Sequence, residues 1–137
     1  IHAHELAHMW FGDLVTMAWW DDLWLNEAFA TWFASKTTEV LRPDWDANIR
    51  RLGARAWVMG ADSRPATRRI REPIKTRGDI ENAFDGITYT KGAAVLDMFE
   101  AYVGKTDFRR GVNAYLQKHA DGNATFALAI QTAAKFN

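Results

Sequence analysis

The chain has 137 residues, 48% of them hydrophobic and 25% charged, with 17 basic and 17 acidic side chains. Those proportions suit one folded domain with a sizeable core, and the even charge gives no global pull towards nucleic acid or an anionic membrane. There is no cysteine, so disulfides and thiolate metal ligands are excluded. No apolar run approaches the roughly 18 residues of a membrane-spanning helix. The expectation is a soluble protein, cytoplasmic rather than secreted.

The elements read mainly as helices. The first runs from about His2 to Phe11, with Gly12 as its stop. A second spans about Leu23 to Leu41, with Asp21 or Asp22 as candidate N-cap. Its stretch from Ala28 to Ala34 is apolar on nearly every side, which marks a central, buried helix. Pro43 ends it, and Asp44 to Ala61 read as a third. Residues 62–78 hold Pro65, Pro73 and Gly78 and read as an ordered loop. A helix follows from about Thr90 to Val103, with Val95, Met98, Phe99 and Tyr102 on one face. Gly104 stops it, and Thr106 is the candidate cap of the next, which carries the stripe Phe108, Val112, Tyr115 and Leu116. Asp121, Gly122 and Asn123 make a turn, and Phe126, Ala129, Ile130 and Ala133 give a last helical face. No strand stands out. Trp10, Trp19, Trp20, Trp24 and Trp32 predict a dense aromatic core. Arg64, Arg68, Arg69, Arg71, Lys75 and Arg77 predict a solvated loop paired to local acids rather than a phosphate site.

The chemistry is concentrated in HELAH, residues 4–8. Four residues are just over one helical turn, so His4 and His8 project from one face, about 40° apart and roughly 6 Å along the axis. That spacing lets two imidazoles hold one ion. Glu5, rotated by about 100°, stands at the rim of the same face, within reach of a metal-bound water. This is the physical content of the H-E-x-x-H zinc signature. A hydrolytic zinc site needs a third protein ligand and an open position. Glu27 is the candidate: it shares a face with Trp24, Thr31 and Ala34, where a carboxylate needs a cation, and no basic residue follows until Lys36. Asp21, Asp22 and Asn26 are candidates to hold the imidazoles by their other nitrogens. His2 points elsewhere on the helix, and His119 reads as structural.

HELAHMWFGDLVTMAWWDDLWLNEAFATWF resembles the zinc core of the M1 family of metallo-aminopeptidases, within the gluzincins. The family's two-histidine motif, eighteen intervening residues and glutamate ligand correspond to His4 and His8, residues 9–26, and Glu27. Its WFG and LWLNE stand at residues 10–12 and 23–27. DSRPATRRIREPI and AFDGITYTKGAAVLDMFEAYVG are similar to the segments leading to and holding the family's catalytic tyrosine, which falls on Tyr89, and FRRGVNAYLQKHADGNAT also fits. His2 and Ala34 depart from the usual pattern, an aliphatic and an acidic residue being common there.

The resemblance implies the helical part of a thermolysin-like (gluzincin) catalytic domain, mainly α and truncated upstream. Its parts would be zinc helices at 2–41, a catalytic-tyrosine segment at 79–103 and C-terminal helices at 106–136. It implies one zinc ion on His4, His8 and Glu27, with Glu5 as general base and Tyr89 as oxyanion donor. The implied substrate is a peptide losing N-terminal amino acids, and the implied partner is the upstream remainder of the catalytic domain, since the chain starts at Ile1 and reads as a piece of a longer protein. No nucleic acid or membrane segment is implied. An epoxide-hydrolysing activity on the same site, or a non-catalytic zinc-binding scaffold, are the alternative readings.

Overall fold

The computed structural model describes residues 1–127, and its architecture is mainly α. The elements in chain order are α1 (His2–Ala7), β1 (Val15–Met17), α2 (Leu23–Leu41), α3 (Ala47–Asp62), α4 (Arg77–Asn82), α5 (Gly92–Val103), α6 (Lys105–His119) and β2 (Gly122–Ala124). Single 3-10 turns at Trp20–Asp22 and Pro43–Trp45 lead into α2 and towards α3, and a π-helical turn at Ile87–Lys91 leads into α5.

Helix α2 is the axis of the molecule. Every residue from Leu23 to Ala30 is buried, because α1, the π turn and α5 all pack on its first half. An apolar perimeter is what such an all-round burial requires. The largest core cluster joins Trp24, Leu25, Ala28 and Phe29 of α2 to Phe11, Val15, Leu96, Tyr115 and Ala124. Phe11 and Phe29 lie parallel with ring centroids 4.2 Å apart. A smaller cluster of Leu23, Ile74 and Ala83 seats the loop before α4. On the outer side Asp97 of α5 accepts from Arg55 and lies 3.4 Å from Arg51 of α3, while Lys36 of α2 reaches Glu100 at 2.5 Å.

Several expectations are corrected. Helix α1 ends at Ala7, and residues 8–11 continue as tighter turns into Gly12. Gly12 has φ +141°, and a Cβ there would lie 3.3 Å from the His8 carbonyl oxygen, so only glycine fits without strain. Two strands do exist. β1 and β2 pair in parallel, Val15 opposite Gly122 and Met17 opposite Ala124, and Gly122 and Asn123 belong to that strand rather than to a turn. Helix α3 begins at Ala47, since Pro43 starts a 3-10 turn. The loop closes at Thr76, whose side chain caps α4 in a reciprocal capping box with Asp79. Gly104, not Thr106, stands at the N-cap of α6. Asp22 precedes α2 without capping it; its carboxylate accepts from Arg71 Nε at 2.8 Å and from the Phe126 backbone N–H at 3.2 Å. Of the five clustered tryptophans only Trp24 is fully buried, while Trp10 and Trp19 are exposed. The face of Ala129, Ile130 and Ala133 lies outside the described residues.

Candidate metal centre

Helix α1 lies across the buried half of α2, which sets His4 and His8 over Glu27. His4 Nε2 is 3.2 Å from Glu27 Oε2 and 3.2 Å from His8 Nε2, and His8 Nε2 is 3.5 Å from Glu27 Oε2. Three lone-pair carriers thus form a nearly equilateral triangle. In a tetrahedral zinc site with bonds of about 2.0–2.15 Å, ligand atoms are separated by about 3.3–3.5 Å. The triangle matches that edge.

The protonation pattern fits the same occupant. His8 Nδ1 lies 2.9 Å from the Phe11 carbonyl oxygen, which can only accept. Nδ1 is therefore the donor, and in that tautomer the Nε2 lone pair faces inward. His4 Nδ1 lies 3.4 Å from the Thr31 hydroxyl. A His4 Nε2–H could donate to His8 Nε2 or to Glu27 Oε2, and one cation at the centre would instead meet all three atoms. Glu27 is buried, with both imidazoles beside it. Lys36, the basic residue that could have neutralised it, is engaged by Glu100 and Asp97 instead. Among the described residues this is the one group of three histidine, aspartate or glutamate side chains close enough to share an ion.

Glu5 is exposed and lines a cavity of about 380 Å³ together with His4, Thr31, Ser35, Trp45 and Arg50. Tyr89, from the π turn, also lies beside the site, its ring centroid 5.9 Å from that of His4. Burial, then the charge of Glu27 and hydrogen bonding to it, then the charge of Glu5, push the Tyr89 phenol up to about 12. It remains a hydrogen-bond donor at neutral pH.

The sequence placed the five principal side chains here but missed their supports. Asp21 and Asp22 face Arg71, at 2.6 and 2.8 Å, and hold the loop rather than the imidazoles. The groups at the outer nitrogens are the Phe11 carbonyl and Thr31. A main-chain carbonyl leaves no mark in a sequence; Thr31, one helical turn beyond Glu27 on the same face, could have been found from spacing alone. His2 is exposed, and His119 stacks near Tyr115 at 5.4 Å, away from the site.

The model of the Peptidase family M1 domain matches residues 1–135. The chain belongs to peptidase family M1. It is 50% identical over 123 residues to the probable aminopeptidase 1 of Saccharolobus solfataricus, and 47% identical over 123 residues to the tricorn protease-interacting factor F2 of Thermoplasma volcanium. In both cases the match covers 89% of this chain and 16% of the relative. Aminopeptidase N of Streptomyces lividans is 47% identical over 126 residues, 88% of this chain and 14% of that protein. The M1 chain described here therefore spans about a sixth of the length of the curated relatives it matches.

Proposed function

We propose that this M1 chain carries the catalytic zinc centre of an aminopeptidase, a protein that removes N-terminal amino acids from peptides by hydrolysis. The observation that supports this most is the His4–His8–Glu27 triangle, with Glu5 next to His4 along α1 and the Tyr89 ring 5.9 Å from that of His4. His4, His8 and Glu27 would hold one zinc ion. When bound, zinc acidifies a water molecule and polarises the scissile carbonyl.

The chain's own residues do the rest. Glu5 accepts a proton from the attacking water as the new C–O bond forms, and returns it to the amine nitrogen as the C–N bond breaks. Tyr89 donates its phenolic hydrogen bond to the former carbonyl oxygen, where negative charge grows. The Phe11 carbonyl and the Thr31 hydroxyl keep the imidazoles from rotating, so the site loses little order as it works. Residues 2–41, 79–103 and 106–136 act as parts of one catalytic domain. The aminopeptidase restriction rests on the names of the relatives; zinc peptide-bond hydrolysis rests on the residues of the site.

The test is Glu5→Gln in the full-length protein. It is expected to retain one zinc per chain by metal analysis and to lose about 10²–10⁴ in kcat on aminoacyl fluorogenic amides, the usual contribution of a positioned base. Near-normal turnover with zinc in place would remove Glu5 from the mechanism. Loss of zinc from Glu5→Gln, or full zinc content in Glu27→Ala, would break the proposed ligand set.

A further inference from the structure

Arg68 was expected in a solvated loop, yet it is half-buried, and its guanidinium is spent on the segment that precedes Tyr89. Nε and Nη2 donate to the two oxygens of Asp85, at 3.0 and 2.6 Å. Nη2 also reaches Thr88 Oγ1 at 2.7 Å and the Ala83 carbonyl at 3.2 Å. Nη1 reaches the carbonyls of Arg69 at 3.0 Å and Ile70 at 3.3 Å.

Asp85 passes this hold onward. Its Oδ1 accepts from the backbone N–H of Ile87 at 2.9 Å and of Thr88 at 3.1 Å, and its carbonyl accepts from Tyr89 N–H at 3.1 Å. Thr88 itself is 1% exposed. The three residues that start the π turn are therefore all tied to Asp85, which is tied to Arg68. A π turn closes its hydrogen bonds over one residue more than an α-helix and so shifts the side chains that follow; such turns occur mostly singly and often at functional sites. The bidentate fork is a geometry that arginine supplies and lysine does not.

We propose that Arg68, acting through Asp85 and Thr88, is a positioning residue for catalysis that fixes the π turn and so aims the Tyr89 hydroxyl at the reacting carbonyl. This rests on the reading of Tyr89 as the oxyanion donor. Neither Arg68 nor Asp85 touches the metal triangle, so their loss leaves the ion in place and misdirects the phenol.

The test uses the full-length zinc-loaded protein and a double-mutant cycle of Arg68→Lys with Tyr89→Phe. Arg68→Lys keeps the charge and loses the fork. It is expected to lower kcat roughly tenfold with KM and zinc content unchanged, and to lower kcat less than about twofold once Tyr89 is already Phe, because residues acting as a unit are not additive. Amide hydrogen exchange in the peptide covering residues 85–92 is expected to rise in Arg68→Lys, with α1 and α2 unchanged. Equal losses in both backgrounds, or unaltered exchange at 85–92, would overturn the proposal. If Tyr89→Phe is silent in kcat while Arg68→Lys still loosens 85–92, the oxyanion role fails and Arg68 is reduced to a structural clamp, which also overturns it. The exchange measurement tells that result apart from a failure of the clamp itself.

Discussion

Tyr89 and the convergent trio His4, His8 and Glu27 illustrate how differently single residues announce themselves. Tyr89 stands beside His4 from within a π turn, and in the proposed mechanism it meets substrate in the transition state. Tyr89→Phe should therefore lower kcat by about 10²–10³, as loss of one oxyanion donor does, with little change in KM; steady-state kinetics on an aminoacyl amide separates the two, and a change confined to KM would exclude the role. Asp85 makes a second prediction. Burial raises its carboxyl, but the Arg68 guanidinium and the backbone N–H groups of Thr88 and Ile87 outweigh that and hold it below the usual carboxylate range. A depressed folded-state value stabilises the protein above about pH 4, the ordinary range of an unfolded aspartate, and the contribution is lost as pH falls through the folded value. The difference in Tm between the protein and Asp85→Asn should be constant from about pH 5 to 7 and shrink below about pH 4. A difference that grows in acid would contradict this sign. Among single residues His4, His8 and Glu5 were legible because helical geometry converts their spacing directly into direction, and Glu27 because a carboxylate on an apolar face with no nearby basic residue calls for a cation. Arg68 was misread because its partner Asp85 lies 17 positions away, beyond an intervening helix.

At the level of elements, the site is the meeting of α1, α2 and the π turn that leads into α5. Gly92 is the contact that permits the approach. A Cβ there would lie 2.7 Å from the Ala28 Cβ, next in sequence to Glu27. Gly92→Val should push α5 off α2, destabilise the fold by about 1–3 kcal/mol, and lower kcat by moving Tyr89; thermal unfolding and kinetics measure both, and a variant with unchanged Tm would show that the interface has slack. The long helices were legible as elements, and the α6 stripe of Phe108, Val112, Tyr115 and Leu116 does pack on the core, but the expected α5 face was wrong: Met98 and Tyr102 are exposed, and α5 buries Gly92, Ala93 and Leu96 against its neighbours. The two strands were not. Each has three residues, and their stability comes from pairing with each other across most of the chain rather than from local propensity.

Across the whole molecule, the outer side of α1 and the turns after it present Leu6, Met9 and Trp10 to solvent. An exposed apolar surface of that kind, next to His4 and His8, is what a packing partner would cover. Residues 1–137 expressed alone should bind zinc more weakly than the full-length protein and turn over little or no peptide, by metal titration and amide hydrolysis. Stoichiometric zinc with robust cleavage would show that these residues suffice. No described helix is long and apolar enough to cross a membrane.

Met17 and Asn123, joined across the parallel strand pair, are 106 residues apart. A ribosome makes the histidine-bearing end of this chain long before it makes the strand that braces it. Throughout that interval the nascent segment carries two imidazoles and an uncovered aromatic surface with no partner of its own. Pairing of β1 thus waits on residues 122–124, and a stop codon shortly before Gly122 would leave His4, His8 and Glu27 encoded but the brace missing.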